Sequence, residues 1–370
     1  MDTDKKTFLY KQVYQDLKDK ISSGYYKLGD LLPSEREVGE IYHVDRTTVR
    51  KAFSLLVEEG LVEKKAGKGS VVIRQEDEKE PPDGAPSSNG TKTIAFLLPK
   101  SSNKSDRITV PFYAELFYNI EKECRALGYT LLYSSLDDHE DLGHLLDQHR
   151  DISGIMFVSN ISAGCIAQTV EKQIPCVLLN SVNPQIPSIL SDNYAGTYAA
   201  AMHLLQKGHK DIAILNGIPD YVSARERYQG AAAAMESYGL TIKKEYDLCA
   251  DTWEADGGYR VTEAMLKACP KPPTAILAFN DRLASGAVQA IHQAGLAIPK
   301  DISIVGYDHS DHARYCIPRL STVEIHIPWM AKAALRNLMD QIVYGERYPL
   351  KILIPATLTL YDSVRDLQAP

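Results

Sequence analysis

From Thr93 onward, short apolar runs alternate with longer stretches whose apolar positions recur every three or four residues. Thr93-Ile94-Ala95-Phe96-Leu97-Leu98-Pro99 reads as a buried strand and 112–127 as an amphipathic helix. The rhythm continues with strand 129–135, a helix near 140–149, strand 154–158, a helix near 163–172 and strand 174–180. A second set comprises helix 194–207, strand 211–216, helix 224–238, strand 246–250, helix 257–268, strand 274–279, helix 282–294 and strand 302–307. Repeated βα units of this length predict an α/β fold of parallel sheets flanked by helices, here in two lobes. Open sheets of this kind bind ligands beyond the carboxyl ends of their strands, so a cleft between the lobes is the expected ligand site.

Before Thr93 the pattern is different. Residues 33–50, PSEREVGEIYHVDRTTVR, predict a short helix, a turn and a second helix. Ser34 and Glu37 form an S-x-x-E capping box for the first. Asp45 is placed to cap the second, where a carboxylate meets orphan N–H groups and the positive end of the helix dipole. Arg46 and Arg50 are four apart and share a face, with Thr47 at the tip. A helix that begins with cationic and polar residues fits the reading helix of a helix-turn-helix, whose first turns reach base edges in the major groove. After the apolar positions Val49, Ala52, Phe53, Leu56 and Val57, Glu59-Gly60 stops the helix. Two strands then flank the basic tip 64–69, which contains Lys64, Lys65, Gly67, Lys68 and Gly69. This is the pattern of a wing: lysines neutralise phosphates and glycines permit close backbone approach. Residues 74–92, RQEDEKEPPDGAPSSNGTK, have no apolar periodicity and predict a flexible linker.

Charge sharpens this division. The chain carries −7 overall, yet residues 1–75 hold 14 Lys and Arg against 12 Asp and Glu, which leaves about −9 for the remainder. The start, MDTDKKTF, lacks the apolar stretch of a secretory signal, and no run is long enough for a membrane helix. The six cysteines are scattered without C-x-x-C spacing, which fits reduced, packed thiols in a cytoplasmic protein. Enzyme motifs are missing: Gly67-Lys68-Gly69-Ser70 fails the phosphate-loop spacing because Gly69 stands where Ser or Thr is needed. His309, Asp311 and His312 lie close enough in sequence to consider a metal, but a polar cleft rim explains them better. His139, His144 and His149 fall about 140° apart on a helix and cannot converge. No cofactor and no catalytic residue is expected.

Residues 8–73 resemble the GntR-type winged-helix domain through Tyr10-x-Gln12, the Gly29-to-Arg36 segment, Arg46-to-Ala52, Glu59-Gly60-Leu61-Val62 and Gly67-x-Gly69-Ser70. The chain departs from that family at Val38-Gly39, where Leu-Ala is usual, and at Asp45, where Ser is common. Gly39 is expected to weaken its helix by about 1 kcal/mol relative to Ala. Residues 93–362 resemble the LacI/GalR regulatory core through Pro111-Phe112-Tyr113, Asp192-to-Gly196, Arg227-Tyr228-Gln229-Gly230, Phe279-Asn280-Asp281 and Ile298-to-Asp308. Together the two resemble the arabinose-repressor class of bacterial transcription factors. The implied organisation is a DNA-binding domain at 1–73, a linker at 74–92 and an effector-binding and dimerisation domain at 93–370. Its lobes would be roughly 93–190 with 321–343, and 191–320 with 344–362.

The second resemblance implies a sugar site, and side-chain chemistry tests each position. Phe112, Tyr113 and Trp253 are expected to sandwich a sugar ring. Arg227 offers a rigid fork of donors for adjacent hydroxyls, and Asn280 and Asp308 offer further polar contacts. Asp281 is expected to cap the helix that follows it. Asn180-Ser181 replaces the Asp-Arg pair frequent in the family, and Ile325 replaces a frequent Gln, which brings His326 forward as a candidate. With few cations expected beyond Arg227, a neutral sugar is favoured over a sugar phosphate. The helix 328–343, with Pro328, Met330, Ala331, Ala334, Leu335, Leu338, Met339 and Ile342, serves either a dimer interface or its own lobe.

The resemblance thus implies a homodimeric repressor that reads a pseudo-palindromic operator in double-stranded DNA and is released by a small sugar. Arg46, Thr47, Thr48, Arg50 and Lys51 would face DNA, with Tyr10, Arg36, Lys65, Gly67, Lys68 and Gly69 around them. The alternatives are an activator, a regulator with a corepressor such as a purine, and a cytoplasmic sugar-binding component.

Overall fold

The structure, a computed structural model, describes residues 10, 13–18, 20–21, 26–42, 44–65, 69–73, 92–100, 106–136 and 142–368. The chain divides into two compact units, Met1–Asn89 and Gly90–Pro370.

In the first unit, helical residues 13–18 (α1), α2 (Glu35–Tyr42) and α3 (Arg46–Glu58) enclose a core with the hairpin β1 (Val62–Lys65) and β2 (Gly69–Val72). Val13, Leu17, Val38, Val49, Phe53 and Leu56 are among its buried apolar residues, at positions that helical periodicity brings to one side. The capping box of α2 is reciprocal: the Ser34 N–H donates to Glu37 Oε2 at 2.7 Å, and the Glu37 N–H to Ser34 Oγ at 3.3 Å. β1 and β2 pair antiparallel from Val62 with Val72 to Lys65 with Gly69, and Leu31 adds a bridge to Val71. Gly67 and Lys68 at the wing tip, and linker residues 74–91, lie outside the described residues; Lys92 already begins a strand.

The second unit opens with β3 (Lys92–Pro99), α4 (Pro111–Ala126), β4 (Tyr129–Leu136), α5 (Leu142–Gln148), β5 (Ile152–Val158), α6 (Ala163–Glu171), β6 (Cys176–Leu179) and β7 (Ser188–Ser191). It continues with α7 (Asn193–Gln206), β8 (Ile212–Asn216), α8 (Val222–Ser237), β9 (Asp247–Cys249), α9 (Ala255–Ala268), β10 (Ala275–Ala278), α10 (Asp281–Gln293), β11 (Ser303–Asp308) and α11 (Asp311–Tyr315). β12 (Ser321–Glu324), α12 (Ile327–Tyr344), β13 (Lys351–Ile354) and β14 (Thr357–Thr359) complete it. The described strands form two six-stranded sheets, ordered β13-β7-β6-β5-β3-β4 and β14-β12-β11-β10-β8-β9. The first sheet is parallel throughout; only β14 runs antiparallel in the second. β3, β8 and β10 are buried almost end to end, as strands covered by helices on both faces must be.

Sheet membership corrects the lobe boundaries expected from sequence. β12 belongs to the second sheet, alongside β11, whereas β13 joins the first, alongside β7. The chain therefore passes between lobes three times: after β7, after β12 and between β13 and β14. Pro355 explains the last crossing, because it lacks the N–H a ladder needs and ends β13. The apolar face of α12 is spent inside its own lobe, where Met330, Ala331, Ala334, Leu335 and Leu338 are buried in the core.

Candidate functional site

In the first unit, Asp45 accepts hydrogen bonds from the Thr47 and Thr48 N–H groups at 2.9 and 3.0 Å and so starts α3. Both threonine hydroxyls also turn to its carboxylate. Thr48 is only 5% exposed, which removes it from the set expected to face DNA: its hydroxyl is consumed by the cap. Arg46 and Arg50 are exposed on the same side, 71% and 58% by side chain. Thr47, Lys51, Arg36 and Lys65 are exposed as well. Lys51 Nζ sits 4.1 Å from the ring centroid of Tyr10, a cation–π contact that ties α3 to Tyr10. Gly69 takes φ +102 opposite Lys65, a conformation suited to glycine at the mouth of the wing.

Sequence reasoning overlooked Glu35, the first residue of α2. Its carboxylate binds Arg50 Nε at 2.9 Å and Lys64 Nζ at 3.0 Å, and lies 3.6 Å from Arg46 Nε. Burial works to raise its pKa, but hydrogen bonds from Lys64 and Arg50 hold it below the usual carboxylate range. One acid thus aligns three cations from α3 and β1 before any polyanion arrives. Gly39 also has a steric reason to be glycine: a Cβ there would lie 3.2 Å from the Val44 carbonyl oxygen.

In the second unit a cavity of about 190 Å³ lies between the strand ends of the two sheets, the scale of a site that holds one six-membered ring (a cavity of about 150 Å³ takes benzene). Phe112, Tyr113, Asn180, Arg227, Trp253, Asn280 and Asp308 all line it. His326 does not. It sits between the lining residues Ile325 and Ile327 in a left-handed turn (φ 50), and its ring faces Glu324 and Thr357 instead.

The lining residues differ in how free they are to meet a ligand. Tyr113 is a buried wall whose hydroxyl pairs with Ser159 Oγ at 3.0 Å, while Phe112 packs edge-on against it. Asn180 takes φ 56 and donates to the same Ser159 Oγ at 3.3 Å. Trp253 lies against Gly217, where any Cβ would come within 2.5 Å of its indole, and meets Tyr221 edge-on at 6.0 Å. Asn280 has both amide atoms engaged: Oδ1 accepts from the Leu283 N–H at 2.7 Å and Nδ2 donates to the Trp253 carbonyl at 3.0 Å. It therefore caps α10, the role expected of Asp281. The extended backbone of Asn280 makes it the N-cap and leaves Asp281 as the first helical residue.

Asp281 instead points inward, where its carboxylate binds the Ser310 N–H at 2.7 Å and the Thr322 hydroxyl at 2.6 Å. Burial, with the negative charge of Asp308 nearby, pushes it up to about 7. Asp308 is likewise raised by burial, to about 6, against the pull of Arg227 and Arg282. Arg227 joins everything: Nε donates to Asn193 Oδ1 at 2.9 Å, Nη1 to the Phe279 carbonyl, and Nη2 lies 3.5 Å from Asp308 Oδ1, with the guanidinium 3.6 Å above the Tyr307 ring. Two further cations, Arg107 and Arg282, also line the cavity, which corrects the expectation of a cleft with few of them. Arg107 precedes α4 and Arg282 sits in the first turn of α10, and neither position carries a periodic signal that marks it from sequence. Among the described residues no group of three or more His, Cys, Asp and Glu is placed to hold a metal ion, and no helix is long and apolar enough to cross a membrane.

A winged helix-turn-helix borne on the same chain as a two-lobed, ligand-sized cleft defines a class: DNA-binding regulators with a small-molecule-binding domain. Residues 9–72 match the bacterial regulatory proteins of the gntR family, and 201–364 match the periplasmic binding protein-like domain. The "Probable HTH-type transcriptional repressor ExuR" of Bacillus subtilis is 34% identical over 241 residues, which cover 65% of this chain and 72% of that protein. A LacI-type transcriptional regulator of Bacillus cereus subsp. cytotoxis superposes with a TM-score of 0.67 at 27% identity, covering 75% of this chain and 99% of that one. A LacI family regulator of Enterococcus faecium, solved with bound ribose, gives 0.65 at 26%, covering 75% and 100%. The chain belongs to the HTH-type transcriptional repressors with a LacI-type, periplasmic-binding-protein-like core, here joined to a GntR-type DNA-binding domain.

Proposed function

We propose that this repressor governs sugar-utilisation genes as a homodimer and leaves its operator when a small sugar fills the cleft. The carrying observation is the position of Arg227. Through Asn193 it reaches the first residue of α7, directly after the chain crosses between lobes, and through Asp308 it reaches the end of β11. A hydroxyl bound by Arg227 and Asp308 therefore acts on the segment about which the lobes move. The apolar band of Phe112, Trp253, Ile325 and Met330 suits the C–H face of a ring, and the related Enterococcus faecium regulator with bound ribose supports a sugar. Arg46 and Arg50 take the base edges, with the exposed Thr47 offering its methyl group because its hydroxyl is bound to Asp45, and Tyr10, Arg36, Lys51 and Lys65 the phosphates, with Gly67, Lys68 and Gly69 at the wing. Two-fold symmetry of a homodimer calls for a pseudo-palindromic operator.

The test is fluorescence anisotropy on a palindromic duplex selected by the protein itself, with and without a sugar that raises its melting temperature. Linkage requires that DNA weaken sugar binding by the factor by which sugar weakens DNA binding. A sugar that binds in the cleft, is lost in Trp253→Ala, and leaves DNA affinity unchanged would sink the induction reading. A sugar that tightens DNA binding would turn the protein into a corepressor-dependent regulator.

A further inference from the structure

Asn193, the first residue of α7, is buried and has both ends of its side-chain amide committed. Its Oδ1 accepts from Arg227 Nε at 2.9 Å, and its Nδ2 donates to Glu226 Oε2 at 3.0 Å. The partners fix this orientation, since a guanidinium only donates and a carboxylate only accepts. The other oxygen of Glu226 accepts from Lys351 Nζ at 2.9 Å. Glu226 belongs to α8, which packs on α7 and β8 in the second lobe, whereas Lys351 opens β13 at the edge of the first sheet. The pair therefore joins the lobes. β13 is tied at its far end as well, where the Asp192 N–H donates to the Ile354 carbonyl at 2.8 Å. Asp308 in the cleft and Lys351 in the first lobe are thus the two ends of one line of polar contacts through Arg227, Asn193 and Glu226.

We propose that Asn193, Glu226 and Lys351 are positioning residues that report the state of the cleft to β13; this rests on the cleft being the effector site. Arg227 and Glu226 are neighbours on α8 and hold the same amide from opposite ends. A ligand that draws Arg227 toward itself shifts the Asn193 amide, which keeps both of its bonds only if Glu226 follows. Glu226 then carries the shift to Lys351. The two halves of the line differ in a way that suits this role. The end formed by Arg227 and Asn193 is buried, where hydrogen bonds to charged groups are strong and geometry is closely held. The Glu226–Lys351 end reaches the surface, so it is weak enough to yield. Coupling along such a line is measured as the failure of two substitutions to add.

The test is hydrogen–deuterium exchange of the full-length protein without any sugar, read by mass spectrometry on peptides covering β7 and β13. Asn193→Asp keeps the size of the side chain and its bond to Arg227 but sets two carboxylates against each other at Glu226. It is expected to speed exchange in β7 and β13 by about two- to fivefold, the scale of one partly exposed ion pair, with α10 unchanged. Adding Glu226→Gln restores a donor toward position 193 and leaves an oxygen for Lys351, so the double variant is expected to return to the exchange of the unmodified protein. Transmission from the cleft is read by a cycle: Asp308→Asn is expected to change exchange in β13 of the unmodified protein and to have no effect there in Lys351→Met. Lys351 is exposed, so should Asn193→Asp fail to fold, this cycle decides by itself. The proposal is overturned by a double variant as fast as Asn193→Asp, by faster exchange in both lobes alike, or by an Asp308→Asn effect that is absent or equal in the two backgrounds. Because no sugar is present, such a result leaves the sugar reading standing, and a sugar that fails to bind leaves this test unchanged.

Discussion

Gly286→Ala tests how the second lobe holds Trp253. α9 and α10 cross through two glycines: a Cβ on Gly286 would lie 1.8 Å from the Ala255 carbonyl oxygen, and one on Gly258 would lie 2.2 Å from the Leu283 carbonyl oxygen. Two effects oppose each other. Alanine is the better helix former by about 1 kcal/mol, which favours the variant. Yet ordinary contacts need about 3.5 Å, so the helices must part by more than an ångström, and overpacking of this kind costs about 1–3 kcal/mol or more. Overpacking wins, for a net loss of about 1–2 kcal/mol, or several degrees at roughly 2–4 °C per kcal/mol. The displacement also reaches the cleft, because Trp253 is held by Asn280 at the start of α10 and precedes α9 directly. Thermal unfolding by circular dichroism measures the first effect, and calorimetric effector binding the second. Gly164→Ala in α6 is the control of opposite sign: its Cβ would meet nothing closer than 3.9 Å, so the propensity gain stands alone. A Gly286→Ala protein that melts at or above the unmodified temperature would refute the close-crossing argument.

Three further outcomes follow from named contacts. Asp281 titrates near 7 in the fold and near 3.9 when unfolded, so the stability it adds is complete below about pH 3.9 and disappears as pH rises through 7; the difference is on the order of 4 kcal/mol. Asp281→Asn is therefore expected to melt higher than the unmodified protein at pH 8 and to lose that advantage by pH 4, and parallel melting curves across this range would show the carboxyl is not what titrates. Gln341 Oε1 accepts from the Cys176 N–H at 3.0 Å while its Nε2 donates to the Cys176 carbonyl at 2.9 Å, so Gln341→Leu leaves two buried backbone groups of β6 unpaired and is expected to cost about 1–3 kcal/mol for each, read by denaturant unfolding. Arg50→Ala is expected to lose about 1–3 kcal/mol of operator affinity and discrimination at one base pair, whereas Glu35→Gln, which removes a negative charge among three cations, should tighten binding to scrambled duplex and narrow the gap to operator; anisotropy on both duplexes distinguishes them.

What the sequence made legible and what it hid divide along a physical line. Amphipathic helices and doubly buried strands announce themselves through local periodicity, and the structure places α4 through α10 and β3 through β11 close to their expected spans, except β7. β7 is missed because Ser188-Ile189-Leu190-Ser191 is four residues long with polar ends, and β13 and β14 because they are brief and separated by Pro355. The capping residues Ser34 and Asp45 are local as well, since the chemistry of a helix start is written within three residues. The errors concern partners far apart in the chain. Whether Asn280 or Asp281 caps α10 depends on the backbone angles of Asn280, and the inward turn of Asp281 depends on Thr322 arriving from β12. Glu35 meets Arg50 from fifteen positions away and Lys64 from twenty-nine; Arg107 meets Tyr221 from one hundred and fourteen. None of these pairs shares a helix face or a strand register, so no periodic pattern predicts them. They are also groups that place charge, at α3 and in the cleft. Fold follows from short-range patterning here, while the charged groups at α3 and in the cleft are brought together only by tertiary structure. For that reason Glu35, which no motif nominates, is a position whose substitution tests how the cations of α3 and β1 are held in place.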